Sequence, residues 1–314
     1  MFARAAYSCA LVLGLIFSGA AAASAAIPPP LARLNADLRS VARRVPAAIG
    51  LDVVDLESGF NAGFNAGKSM PAASTIKLPV MVAVFEALST GTFDLNRHIT
   101  LEAQDKDYGS GDLCYAPIDS TYSVSDLLDR MIDVSDNTAT NMLIRVIGRR
   151  NINGEMTDLG LVRTRLLSDV RTEAWSVRSA LRTSPADLAH LLTLMAKGEL
   201  IDRWSSNEMI AILEADRINT LLPQPLPPDI AIAHKTGSFF DTLNDAGIVY
   251  AGNSPYVIAV MTTALPSQDL GRAFIRKISR LTYTDEVRTG RWRAAHGVLE
   301  DKSPDVNYWV ETTP

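Results

Sequence analysis

Two hydrophobic periods alternate along this chain. Leu31, Leu34, Leu38 and Val41 recur at helical spacing after Pro28-Pro29-Pro30 and predict an N-terminal helix. Ala48 to Leu56 is apolar and rich in β-branched residues and ends at the Glu57-Ser58-Gly59 turn, which predicts a strand. Phe60 to Phe64 returns as the second arm of a hairpin. From Thr75 to about Ile218 the pattern becomes helical. Leu78 to Leu88 is nearly all apolar, the mark of a helix buried on several sides. Val124 to Val134 and Asn137 to Ile147 predict two more helices. Thr183-Ser184-Pro185 starts another, which runs through Leu191, Leu192 and Met195 and stops at Gly198. After Pro228 strand character returns in Ile230 to His234, Asp245 to Ala251 and Tyr256 to Thr263, with Gly252-Asn253-Ser254-Pro255 as a turn. Asp269 to Leu281 predicts a closing helix.

This order predicts an α/β (α+β) fold: one antiparallel sheet flanked by helices, with an all-helical subdomain inserted. The sheet part is expected at residues 27–73 and 219–290 and the helical part at 74–218. A site belongs in the crevice between them. Residues 291–314 are expected to be a tail, with no periodicity from Asp301 to Pro314. Residues 1–26 predict a secretory signal peptide: Arg4 gives a positive start, Ala5 to Phe17 is apolar, and Ala23-Ser24-Ala25 offers a cleavage site. The apolar stretch is too short to span a bilayer comfortably, so an exported, unanchored monomer is expected, periplasmic or extracellular.

Composition narrows the function. Net charge is -5 and no long run of one sign occurs, which argues against nucleic acid or an anionic membrane as partner. Cleavage would remove Cys9 and leave Cys114 alone, so no internal disulfide is expected. His98, His190, His234 and His296 are scattered without metal-site spacing, and neither metal nor cofactor is expected.

Three short motifs carry chemistry. Ser74 and Lys77 are three apart in Ser74-Thr75-Ile76-Lys77, so on a helix they share a face. A serine hydroxyl needs a base, and a lysine embedded between Ile76 and Leu78 can serve once burial lowers its pKa. Ser135-Asp136-Asn137 opens the next helix. Its plainer reading is helix capping. Its chemical reading has Ser135 relay a proton, Asn137 hold a substrate amide and Asp136 brace the loop. Lys235-Thr236-Gly237-Ser238 follows an apolar run and sits on a strand. Lys235 and Thr236 suit a substrate carboxylate, and Gly237 allows close approach. The backbone amides of Ser74 and Ser238 can then form an oxyanion hole. The plainer reading here is an edge strand guarded by lysine.

With these motifs in this order, the chain resembles the class A β-lactamase and penicillin-binding serine hydrolase superfamily from about Ile49 to Leu281. The match includes Ser135-Asp136-Asn137-Thr138-Ala139-Thr140-Asn141 and Asn244-Asp245-Ala246-Gly247. The resemblance implies an acyl-enzyme on Ser74, no metal, and the roles above for Lys77, Ser135, Asn137, Lys235 and Thr236. The substrate is then a small β-lactam or a peptidoglycan peptide.

The chain departs from the family at the step that releases the acyl group. The family pattern there is Arg-x-Glu, two residues, then Leu-Asn. This chain reads Arg171-Thr172-Glu173-Ala174-Trp175-Ser176-Val177. Glu173 is thus a candidate base, with Asp169 as an alternative. Arg217 is a candidate for the substrate carboxylate, and Tyr115, Phe239 and Phe240 for the crevice wall. The leading expectation is a β-lactam-opening hydrolase. A D,D-carboxypeptidase or transpeptidase acting on D-Ala-D-Ala peptides is the alternative, and a non-catalytic β-lactam sensor the third.

Overall fold

A computed structural model describes residues 27–297. The expected signal peptide and the end of the expected tail lie outside them. Helix α1 (Pro29–Ala42) leads into strands β1 (Ala48–Asp55), β2 (Asn61–Phe64) and β3 (Met70–Pro71). Helix α2 (Lys77–Ser89), the ribbon β4 (His98–Thr100) and β5 (Thr121–Ser123), and helices α3 (Val124–Asp133), α4 (Asn137–Ile147) and α5 (Arg149–Asp158) follow. Then come β6 (Arg165–Leu166), a short helix α6 (Val177–Ala180), β7 (Leu181–Thr183), α7 (Pro185–Ala196) and α8 (Arg203–Glu214). The chain closes with β8 (Ile232–Phe239), β9 (Thr242–Val249), β10 (Tyr256–Thr263) and α9 (Gln268–Ala295).

The main sheet runs β2-β1-β10-β9-β8, antiparallel throughout, with β8 at one edge. Both faces are covered, and the strand period sorts the residues. Ile49, Leu51, Val53, Ile258 and Val260 pack with Leu31, Leu34, Leu38, Phe274 and Ile278 of α1 and α9. Val257, Ala259, Met261, Ala246 and Ile248 face the other way, into the core of the helical block. Helix α2 is buried from Lys77 to Phe85, as its apolar run predicts. The block is not purely helical, since it also holds the β4-β5 ribbon and the small sheet β3-β7-β6. These strands are two or three residues long, too short for alternation to register.

Four elements differ from expectation. The chain after Asp269 stays helical to Ala295, so the domain continues past residue 290 and the expected tail begins as helix. Its buried positions beyond Ile278 are Ser279, Thr282, Asp285, Glu286, Thr289, Gly290 and Arg293. The helical spacing persists there, but the buried side chains are polar and leave no hydrophobic signal. Strand β9 starts at Thr242, because the hairpin turns at Phe240-Asp241 with Phe240 at φ 44. A phenylalanine in the left-handed region is not a turn signal. Helices α5 and α8 also went without an expectation. α5 buries only Ile152 and Met156, and α8 is capped by Asp202, which accepts a bond from the Ser205 amide.

The far end of α9 is anchored by a buried pair. Arg293 donates from Nη2 to Asp55 Oδ1 at 2.5 Å and from Nη1 to Oδ2 at 3.0 Å. Glu286, beside them, is pushed up to about 9 by burial and by the charge of Asp55. It accepts from Ser254 Oγ at 2.9 Å. Removing the guanidinium leaves Asp55 buried and unpaired. Arg293→Met is therefore expected to lower unfolding free energy in urea by about 3 to 5 kcal/mol. A loss below about 1 kcal/mol would mean that α9 is not held there.

Candidate active site

The nucleophile turn is built by the sheet. Ser74 lies in a 3-10 turn, Ala73–Ile76, just before α2. Ala73 is forced to φ 47, a left-handed backbone that alanine adopts at a cost. Asn244 on β9 holds this turn by donating Nδ2 to the carbonyls of Pro71 and Ala72, both at 2.9 Å. Its Oδ1 accepts from the Thr262 amide of β10 at 3.1 Å. The sheet thus grips the chain just ahead of the nucleophile. The sequence showed Asn244 only as part of a motif; its tether across about 170 residues of chain separation has no local signature.

Gly237 lets β8 reach the same turn. A Cβ there would lie 3.0 Å from the amide nitrogens of both Ser74 and Thr75 and 3.1 Å from Ala72 O. The next residue, Ser238, is exposed at the strand edge and shares a cavity lining with Ser74 and Asn137. Ser74 and Ser238, whose amides are the expected oxyanion hole, thus line one cavity.

The first two motifs meet at Lys77. Lys77 Nζ lies 2.9 Å from Ser135 Oγ and donates to Ser135 O at 2.6 Å and to Asn137 Oδ1 at 2.8 Å. Lys77 is fully buried. Burial, and then the charge of Lys235, hold its pKa well below an ordinary lysine's; Asp136, Asp107 and Asp216 pull the other way. Ser135 itself sits at φ 57 between α3 and α4. Ser74 is half-buried, and its hydroxyl carries no hydrogen bond among the described residues. It is left free toward the cavity.

Asp136 has the bracing role expected of it. It caps α4 by accepting from the Ala139 amide at 2.8 Å, and it accepts from the Leu113 amide at 2.9 Å. Lys235 is also fully buried and pairs with Asp216 at 3.2 Å. Burial lowers its pKa while Asp216 opposes that shift and favours the charged form. Thr236 is buried beside it on β8 but does not line the Ser74 cavity. Behind them, burial would lower His234, but Asp245 at 3.0 Å overrides this and its pKa is raised.

Asp107 and Asp216 went unnoticed in the sequence. Asp107 accepts from Asn137 Nδ2 at 2.8 Å and from the Thr172 amide and hydroxyl, each at 2.8 Å. It therefore fixes the orientation of the Asn137 amide and ties the loop around Thr172 to α4. These hydrogen bonds outweigh burial and lower its pKa. Both aspartates join the site through tertiary contact, at separations that no short motif spans.

The expected deacylation base is where sequence and structure part. Glu173 is exposed, makes no hydrogen bond or ion pair among the described residues and does not line the Ser74 cavity. Asn141 shows why. Its Oδ1 accepts from the Val170 amide at 2.8 Å and its Nδ2 donates to Val170 O at 3.0 Å. This clamp turns Val170, 6% exposed, into the cavity wall with Ser74, Asn137 and Thr172. Glu173 falls three residues beyond that point. Asp169, the alternative, pairs with Arg149 at 2.8 Å and Arg171 at 3.3 Å, outside the cavity lining. Arg217 pairs with Asp133 at 2.9 Å and is largely exposed, whereas Arg178 lines the cavity and pairs with Asp241 at 2.7 Å. Phe239 lines the cavity, and Phe240 packs edge-on to it and tilted against Trp175. Tyr115 instead packs edge-on to Tyr108, exposed. No group of three or more His, Cys, Asp or Glu among the described residues could hold a metal. No described helix is long and apolar enough to cross a membrane.

A serine hydroxyl on the cavity wall, with a buried amine beside a second hydroxyl, fits the serine hydrolase class. Comparison with known proteins gives the family. The model of the beta-lactamase enzyme family matches residues 33–285, and the chain belongs to that family. The chain is 30% identical over 232 residues to Beta-lactamase AST-1 of Nocardia asteroides, covering 69% of this chain and 72% of that protein. The structure of PBP-A superposes with TM-score 0.76 at 32% identity, covering 80% of this chain and 95% of that one. A beta-lactamase from Sphaerobacter thermophilus superposes with TM-score 0.73 at 27% identity, covering 86% and 98%.

Gly237→Ala tests the packing on which the oxyanion hole depends. The added methyl must push β8 from the Ser74 turn by a few tenths of an ångström. Labelling by a fluorescent penicillin is expected to slow by about tenfold to a hundredfold, within the range for a compromised oxyanion donor. An unchanged rate in a folded variant would show that β8 does not supply that amide.

Proposed function

We propose that this protein opens β-lactam amides through an acyl-enzyme on Ser74, and that it works outside the cytoplasm after loss of residues 1–26. The observation that carries the reading is the Lys77 amine, buried between Ser135 Oγ and Asn137 Oδ1. Lys77 takes the Ser74 proton as Oγ bonds to the lactam carbonyl carbon. The carbonyl oxygen takes up negative charge against the Ser74 and Ser238 amides. When the carbonyl re-forms, the C–N bond breaks, and Ser135 gives its proton to the departing nitrogen. Lys77 then returns a proton to Ser135, and Ser74 stays esterified. Lys235, whose charged form Asp216 favours against burial, attracts the substrate carboxylate.

Release of the acyl group is the slower half. Water must attack the ester, and Val170 offers no base in the wall that faces Ser74. The same observation favours a second reading, a D,D-peptidase whose peptide substrate leaves readily while a β-lactam lingers. A mutant of PBP-A, with TM-score 0.74 and 32% identity over 82% of this chain, is known as its acyl-enzyme complex with penicillin G.

Mass spectrometry of the intact protein with a penicillin tests this. A burst of one acyl adduct per chain, then slower turnover, is expected, and Ser74→Ala is expected to form none. Turnover without accumulated adduct would contradict slow release. Adduct that persists beyond an hour, with cleavage of a D-Ala-D-Ala peptide, would favour the second reading.

Two variants separate the candidate bases. Glu173→Gln is expected to leave the release rate within about twofold, and Val170→Glu to raise it by about tenfold or more by placing a carboxylate in the wall. Slowed release in Glu173→Gln would restore Glu173 to the mechanism.

A further inference from the structure

A basic groove lies between α1 and α9, on the face of the sheet opposite the helical block. Its volume is about 760 Å3, and it shares no lining residue with the Ser74 cavity. Arg33 of α1 and Arg276, Lys277, Arg280 and Arg288 of α9 line it, against two carboxylates, Asp37 and Asp285. Both carboxylates are already engaged. Asp37 pairs with Arg33 at 3.3 Å and Asp285 with Arg288 at 2.8 Å. Arg276 Nε donates to Thr220 O at 2.9 Å and has no ion pair. Lys277 and Arg280 are exposed and make no hydrogen bond or ion pair among the described residues. In a chain of net charge -5 this concentration runs against the mean field. Side-by-side cations without anions repel one another, so the groove is a place where added negative charge is stabilised.

We infer that this groove binds a linear phosphate polymer that carries no nucleobases. Four of its five cations are arginines, whose planar fork pairs with phosphate oxygens through two bonds at once. Arg276, Arg280 and Arg288 line the groove along α9 at intervals of four and eight residues. They span about 18 Å along the axis. That length suits an extended chain of repeated charges and exceeds one phosphate. No aromatic residue lines the groove, so nucleobases would find no stacking surface. Its cations line a concavity, and Leu281 and Ala273 are its apolar lining residues, with no large exposed hydrophobe to enter a bilayer.

The test is fluorescence anisotropy of the whole protein with labelled inorganic polyphosphate. Binding is expected at low salt and should weaken steeply as sodium chloride rises, as counterion release requires. The double variant K277E/R280E should bind at least tenfold more weakly. Its thermal midpoint and its labelling by a fluorescent penicillin should match the parent's. Orthophosphate at equal total phosphate should not compete. Absence of binding at low salt would overturn the assignment, as would equal binding by the double variant or effective competition by orthophosphate. Tighter binding to single-stranded DNA or to phosphatidylglycerol vesicles than to polyphosphate would replace the polymer by nucleic acid or membrane.

Discussion

Two lysines buried in one cleft set the constraint that the rest of the structure answers. Lys77 and Lys235 are both fully buried, and each charge raises the cost of the other. The site resolves this asymmetrically. Lys235 has a carboxylate partner in Asp216, so positive charge is stabilised there. Lys77 meets only neutral oxygens directly, those of Ser135 and Asn137, and its ammonium form is the less favoured. In the proposed mechanism Lys235 is the anchor for anions and Lys77 the base that activates a serine hydroxyl.

Holding this arrangement takes the whole fold. The apolar length of α2 buries Lys77, and the edge strand β8 delivers Lys235 and the Ser238 amide together. Asn244 ties the sheet to the turn before Ser74, while Asp107 sets the Asn137 amide and the Thr172 loop. The backbone is left-handed at Ala73 and at Ser135, next to one catalytic hydroxyl and at the other. Such strain persists only where surrounding contacts dictate it. It marks both serines as places where geometry has been favoured over local stability.

Much of this was legible in the sequence because chemistry and period coincide there. The three motifs name the relay, and the hydrophobic runs of α1, α2, β1 and β10 named their elements within a few residues. What stayed hidden has separate physical causes. The second half of α9 buries Asp285, Glu286 and Arg293, so its period is carried by polar side chains. The β8-β9 hairpin turns on Phe240, where turn chemistry predicts glycine or asparagine. Asp107, Asp216 and Asn244 act across long separations, and only folding brings them to the site. Glu173 shows the converse error. It lies in a motif-like run, yet the Asn141 clamp turns Val170 and not Glu173 into the cavity. A local pattern could suggest a carboxylate there but could not say which residue of the loop faces inward.

The claim at the centre is that Lys77 serves as a base because its ammonium form is disfavoured. The direct measurement is a carbon-13 NMR titration of lysine Cε, with Lys77 assigned by comparison with Lys77→Arg. The account predicts that the Lys77 signal titrates well below 10.5, apart from the exposed lysines. A Lys77 that titrates with the exposed lysines, or above them, would contradict it.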